Sequence, residues 1–349
     1  MNKYSLRCLS LIITIIILTS FFSLFSSADT NVDIFPNISN ADAVCLYNLN
    51  TNTVIHSKNM QNHIFPGSAV KMMTGLIICE QLSERLDERV TITEDMLADA
   101  FGSNIKLKSG MTVTVKDLLY GVLCGGGNDA ALALATFCGG DIDNFVRTMN
   151  EKAFKWGLKS TKFTNPTGLD DSSMHSTLSD ILILAKRAQE NQLYMEISSS
   201  IFYEFTPLGT DKKIVFYNKN DLISAHYTNE YKNIYASGMI AGNTDLGGHC
   251  VITFAERKNA QYICIVMGAD ADESYVYSYK IANSLLDHMF ENYSYTKVIE
   301  KGTAICDTEV RFALPTSKEQ TRRVSCIVKD DVYALIPKDI VTDKDLTYR

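Results

Sequence analysis

The chain has 349 residues with 33 Lys and Arg against 40 Asp and Glu, a net charge of −7, 46% hydrophobic residues and only 6 prolines. That length and balance predict a sizeable core in about two domains and exclude disordered, collagen-like and mucin-like classes. The acidic balance, with no charge run that reverses it, excludes a nucleic-acid partner, because neutralising phosphates requires a basic surface. Residues 1–28 read as a signal peptide: Lys3 and Arg7 are followed by an apolar stretch from Leu9 to Phe25 and by the small residues Ser26-Ser27-Ala28. An exported protein of the cell envelope is therefore expected. The same stretch is close to the lower limit of about 17 residues for a membrane span, so an uncleaved anchor is the competing reading. Membrane contact is expected only in that case. No amphipathic helix is read at the C-terminal end, so membrane attachment through that end is not expected.

Two strands, Ala43 to Leu49 and Thr53 to Lys58, are predicted around an Asn50-Thr51-Asn52 turn. From Ser68 to Leu82 the sequence is apolar almost all round, which predicts a helix through the centre of a domain. Further helices are predicted over Lys116 to Cys124, Ala130 to Cys138, Ile142 to Trp156 and Ser179 to Gln189. The Gly125-Gly126-Gly127 run between the first two of these reads as a flexible turn and not as a phosphate cradle, since no Gly-Lys-Ser/Thr follows. After about residue 200 strands return, with an antiparallel hairpin over Gly248 to Arg257 and Gln261 to Gly268, and then a long helix from Glu273 to Tyr293. Short strand-like runs at 304–312, 323–329 and 332–336 complete the chain. The order of elements predicts an α+β class: an antiparallel sheet with helices on both faces, a helical block inserted between its strands, and a small all-β domain. The boundaries drawn are 35–293 for the main domain and 294–349 for the short β-rich one.

Nine cysteines are present, eight of them beyond residue 28. Cys45, Cys79 and Cys264 sit inside apolar runs and read as buried thiols, and no C-x-x-C occurs, so few or no disulfides are expected. The six histidines show no ligand spacing. No metal and no cofactor are expected, and His175 reads as structural. Tyr262 and the group Tyr275, Tyr277 and Tyr279 read as packing, and Asp129 and Asp180 as helix-start or framework groups.

The sharpest chemical signal is Ser68-Ala69-Val70-Lys71 at the head of the central helix. Residues i and i+3 share a face. A serine hydroxyl needs a base, and a lysine among apolar side chains can lose its charge and act as one. The helix start also offers an amide N–H and a favourable dipole to a developing oxyanion. By itself S-x-x-K recurs by chance about once or twice in a chain of this length.

Six ordered stretches between about Ala41 and Asn292 raise its weight. They are Ile64 to Gly75, Lys116 to Gly121 with Gly127 to Ala131, Asn165 to Asp170, His175 to Asp180, Asn218 to Leu222, and Gly238 to Asp245. Together they resemble the serine D-alanyl-D-alanine carboxypeptidases, the low-molecular-mass penicillin-binding proteins. The resemblance implies a penicillin-binding and β-lactamase-like sheet, with peptidoglycan stem peptides and β-lactams as partners. It further implies Ser68 as nucleophile, Lys71 as base and Asn128 as the amide that holds the substrate carbonyl and Lys71. Gly242 and Asn243 fall on the substrate strand, and the amides of Ser68 and Asn243 form the oxyanion hole. In that family S-x-x-K meets S-x-N and K-T-G in one cleft.

This chain departs at both of the latter motifs. Gly126 stands where S-x-N has its serine, and Ile240-Ala241-Gly242 stands for K-T-G. A lost proton relay at Gly126 removes about 10² to 10⁴ in rate, and a lost ammonium at Ile240 on the order of 1.5–3 kcal/mol. Lys232, Lys258 and His249 are candidates for a replacement cation. The resemblance implies removal of the terminal D-alanine through a Ser68 acyl-enzyme. The competing reading is a catalytically weak homologue that binds peptidoglycan or a wall partner without turnover. A β-lactamase is more remote, because no carboxylate can be found to activate a deacylating water.

Overall fold

The protein was analysed as a computed structural model, which describes residues 35–226, 228–274, 276–311 and 321–339. The expected signal peptide, residues 1–28, lies outside the described residues, as do Tyr275 and residues 340–349.

Strands β1 (Ala41–Asn48) and β2 (Thr53–Lys58) pair antiparallel, and Asn48 Oδ1 accepts from the amide of Thr51 at 2.8 Å to set the turn. A 3₁₀ turn (Gly67–Ala69) leads into α1 (Val70–Leu82). Eleven of the thirteen residues of α1 are buried, which is why its sequence shows no polar face. The short ribbon of β3 (Arg89–Thr91) and β4 (Thr112–Thr114) runs directly into α2 (Val115–Leu123). There Thr114 and Asp117 form a capping box, each side chain accepting from the other's amide. Next come α3 (Asn128–Gly139), α4 (Ile142–Trp156), started by Asp141 and stopped by left-handed Gly157, α5 (Leu178–Glu190), capped by Thr177, and α6 (Gln192–Ser198).

A second ribbon, β5 (Phe202–Phe205) with β6 (Ile214–Tyr217), and the single turn α7 (Asp221–Ser224) lead back to the sheet. Its remaining strands are β7 (Ala236–Thr244), β8 (Gly248–Arg257) and β9 (Ala260–Ala269), followed by α8 (Tyr277–Asn292). The sheet order is β2-β1-β9-β8-β7, with every neighbour antiparallel. β1 therefore pairs with a strand more than two hundred residues later, and the helices between β2 and β7 are an insertion. α8 packs on β8, β9 and β1, while α1, α5 and α6 pack on strands that include β7. Successive residues along β1 and β9 are buried, as strands covered on both faces require. Beyond α8 the regular elements among the described residues are strands: β10 (Tyr293–Ile299) pairs with β13 (Val332–Pro337), and β11 (Ala304–Arg311) with β12 (Thr321–Ile327). The α+β architecture agrees with the sequence reading.

Four expectations are corrected or refined. The predicted central helix begins as a 3₁₀ turn, so Ser68 precedes the α-helix proper. The last long helix starts at Tyr277 and not at Glu273, because Asp270 to Val276 closes on itself: Tyr277 N–H donates to Asp270 O, and Ala271 bridges Val276. The Gly125 to Gly127 turn is buried and tied down, with Gly125 N–H on Tyr120 O and Gly127 N–H on Gly121 O. It is not flexible. The two ribbons were not foreseen, since their strands have three or four residues each.

All eight described cysteines are free thiols, and Cys306 and Cys326 face one another in register on exposed strands. Among the described residues no helix is long and apolar enough to cross a membrane, and no cluster of side chains could hold a metal ion.

Candidate active site

The site begins with the burial of Lys71. α1 is a core helix, so its lysine is buried and only 3% exposed. The Asn165-Pro166-Thr167-Gly168 loop meets it. Asn165 Oδ1 accepts from the amides of Thr167 and Gly168 and from the Thr167 hydroxyl, which holds the loop rigid and turns its carbonyls inward. Lys71 Nζ donates to Thr167 O at 2.7 Å, and Thr74 Oγ1, one turn further along α1, donates to Pro166 O at 2.7 Å. Burial pulls the Lys71 ammonium from its ordinary 10.5 down to about 8. Cys250 and Asp129 act the other way, and the like charge of Lys219 adds to the fall.

Ser68, at the centre of the 3₁₀ turn, is buried to 8% exposure. Gly242 on β7 presses against it. A Cβ at Gly242 would stand 2.3 Å from Ser68 Oγ, so any side chain there would displace the hydroxyl. Ile240, two residues earlier, shares the face of Gly242 and is core at 2% exposure; Ala241 is buried as well. Ser68, Lys71, Gly102, Ser103, Asn128, Thr167, Asn243 and Asp245 line one cleft of about 320 Å³. Asn128 opens α3. Its amide N–H donates to Ser103 O at 2.7 Å and its side-chain Nδ2 to Phe101 O at 2.6 Å, leaving buried Oδ1 with no partner. On the other wall the Leu246 amide donates to Asp170 Oδ2 at 2.8 Å, which ties the turn after β7 to the 165–170 loop.

The sequence-predicted residues Ser68, Lys71, Asn128, Gly242 and Asn243 thus meet at one place. Lys232 and Lys258 are not among the residues lining the cleft; Lys258 sits in the turn between β8 and β9. His249 pairs with Asn243 across β7 and β8, and burial lowers its pKa. His175 stacks on His63 with ring centroids 4.8 Å apart, a packing role. Asp129 and Asp180 are framework groups: Asp129 accepts from the amides of Ile105 and Leu107, Asp180 from those of Lys159 and Ser160.

Three residues escaped the sequence reading. Cys250 lies opposite Gly242, its thiol in contact with the amides of Gly242, Ala69 and Ser68, and burial pushes it up to about 11, so it is a neutral wall behind the nucleophile. Register against Gly242 was the signal for it. Ser103 lies on a loop outside the quoted stretches, and Lys219 lies inside one of them, Asn218 to Leu222, where no role was read for it; the fold brings both to Gly126.

A serine in the 3₁₀ entry to a core helix, a buried lysine one turn on, and an edge strand packed against the hydroxyl define an acyl-transfer type of site on an antiparallel sheet. A family model described as D-alanyl-D-alanine carboxypeptidase matches residues 30–271. The chain is 30% identical over 274 residues to the D-alanyl-D-alanine carboxypeptidase DacF of Bacillus subtilis, covering 78% of this chain and 67% of that protein. Penicillin binding protein 5 from Haemophilus influenzae superposes with a TM-score of 0.68 at 28% identity over 88% of this chain and 85% of the other. A carboxypeptidase from Francisella tularensis has the same fold, with a TM-score of 0.71 at 21% identity over 91% and 88% of the two chains. The chain belongs to the serine D-alanyl-D-alanine carboxypeptidase family.

Proposed function

We propose that this protein is a serine carboxypeptidase that removes the terminal D-alanine of peptidoglycan stem peptides. The observation that carries the reading is Lys71, a buried ammonium drawn down to about 8 in the same cleft as Ser68. Neutral Lys71 Nζ takes the proton of Ser68 Oγ, which attacks the penultimate D-alanine carbonyl. The Ser68 and Asn243 amides receive the oxyanion. Asn128 Nδ2, the donor expected to hold the substrate carbonyl, is already on Phe101 O, so its role changes: the buried, partnerless Oδ1 is the acceptor for a substrate amide N–H. The C–N bond then breaks, D-alanine leaves with the proton, and water resolves the acyl-enzyme.

β-Lactams are the second ligand of this reading, since they present a reactive carbonyl and a carboxylate to the same groups. Export through residues 1–28, action outside the cytoplasm, membrane contact only through an uncleaved N-terminal segment, and a domain boundary at 293/294 belong to the same proposal. Intact mass after incubation with a penicillin tests it. We expect one adduct per chain, absent in Ser68→Ala. No adduct at high drug concentration and long times would reject acyl transfer and leave a binding role.

A further inference from the structure

Gly126 and Ile240 leave the cleft without a hydroxyl and a cation that its chemistry needs, and the structure shows what fills the corner instead. A Cβ built on Gly126 would stand 3.0 Å from Lys219 Cγ and 3.9 Å from Ser103 Oγ. Two polar side chains from distant loops therefore converge where the S-x-N serine would project. Ser103 is held there through its backbone, whose carbonyl accepts from the Asn128 amide at 2.7 Å, and it lines the cleft with Ser68, Lys71 and Asn128. Lys219 is fixed through its backbone, which donates to Cys124 O at 3.0 Å and accepts from Tyr279 Oη at 2.7 Å. Like Lys232 and Lys258 it is not among the residues lining the cleft, but unlike them its stem crosses Gly126 beside Ser103, and its charge is felt by buried Lys71.

We propose that Ser103 and Lys219 rebuild the missing corner from outside the three motifs, Ser103 as the hydroxyl that relays the proton and Lys219 as the cation that receives the substrate's terminal carboxylate. This inference rests on the carboxypeptidase reading above. The proton balance is closed. Lys71 takes a proton from Ser68 as the Ser68 Oγ–carbonyl bond forms and passes it to Ser103 Oγ. Ser103 gives its own proton to the departing nitrogen as the C–N bond breaks, and ends as the same neutral hydroxyl. A bare glycine at 126 is then a requirement, because it leaves the passage through which Lys219 crosses.

The test uses the full chain with a D-Ala-D-Ala peptide and the same peptide as its C-terminal amide. Ser103→Ala is expected to lower kcat about 10² -fold or more on both, with Ser103→Thr restoring it. Lys219→Met is expected to lower kcat/KM about ten- to a hundredfold on the free acid and much less on the amide, with Lys219→Arg retaining the preference. Thermal melting is followed in parallel, and Ser103 is exposed, so its removal leaves the fold intact. Ser103→Ala within twofold of the unmodified chain on both peptides overturns the relay, and an equal loss on acid and amide in Lys219→Met overturns the cation. An unmodified chain that neither forms a penicillin adduct nor releases D-alanine overturns the carboxypeptidase reading first, and this one with it.

Discussion

Lys71 is where the chemistry of the site becomes a measurable titration. Only its neutral form can accept the Ser68 proton, and an ammonium at about 8 leaves roughly a tenth of the chains in that form at pH 7. The second-order rate of penicillin acylation should therefore climb about tenfold per pH unit up to pH 7 and level off above 8. A rate that stays flat from pH 6 to pH 8 would show that Lys71 is not the base. Cys250 does not confuse the profile, because its thiol stays protonated well above that range. The pattern S-x-x-K made Ser68 and Lys71 legible in the sequence. What it could not contain is the burial that sets the ammonium, since part of the enclosure, the loop whose Thr167 carbonyl meets Lys71, comes from elsewhere in the chain.

At the scale of elements, the turn before α3 decides what the site can become. Gly126 has φ near +64°, a conformation that costs a side-chain-bearing residue about 1 kcal/mol or more, and its Cβ position is already approached by Lys219. Gly126→Ser, which restores the family motif on paper, should thus lower stability by about 1 kcal/mol and fail to raise the acylation rate. Denaturant unfolding and adduct formation read the two effects, and a stable, faster variant would show that the corner has not been rebuilt. Long periodic elements such as α4 and α5 were legible from their apolar spacing, as were β8 and β9. The ribbons β3–β4 and β5–β6 were not, because a three-residue strand is too short to show a period. The same limit hid Ser103, a loop position with no pattern to read, whereas Lys219 sits in the family-like stretch Asn218 to Leu222, which marked the segment but not the role of its side chain.

Across the whole molecule the same lysine is a cost to folding. Between its folded value of about 8 and its ordinary 10.5, the unfolded chain binds more protons, so Lys71 makes stability rise with pH through that window. Below 8 both states are protonated and the penalty is fully present. Lys71→Met should therefore stabilise the fold at pH 7 by on the order of 2–3 kcal/mol while abolishing acylation, and its advantage should shrink as the pH approaches 10.5. Unfolding free energies of the two chains at pH 7 and pH 10 check it, and an advantage that grows with pH would contradict it. The gross architecture was legible because burial on both faces writes itself into β1 and β9 as unbroken apolar runs. The strand order was not, since it depends on which runs pair at long range.

The loop that serves Lys71 lies 96 positions away from it in the chain, and the strand that presses on Ser68 lies further still. Neither contact exists in any local segment. The nucleophile's surroundings are therefore complete only when the 165–170 loop and β7 are both in place, and non-local pairing of this kind is slow. A labelled penicillin added during refolding would count only molecules in which both contacts have formed. The drug that marks the enzyme is in this sense also a clock for its folding.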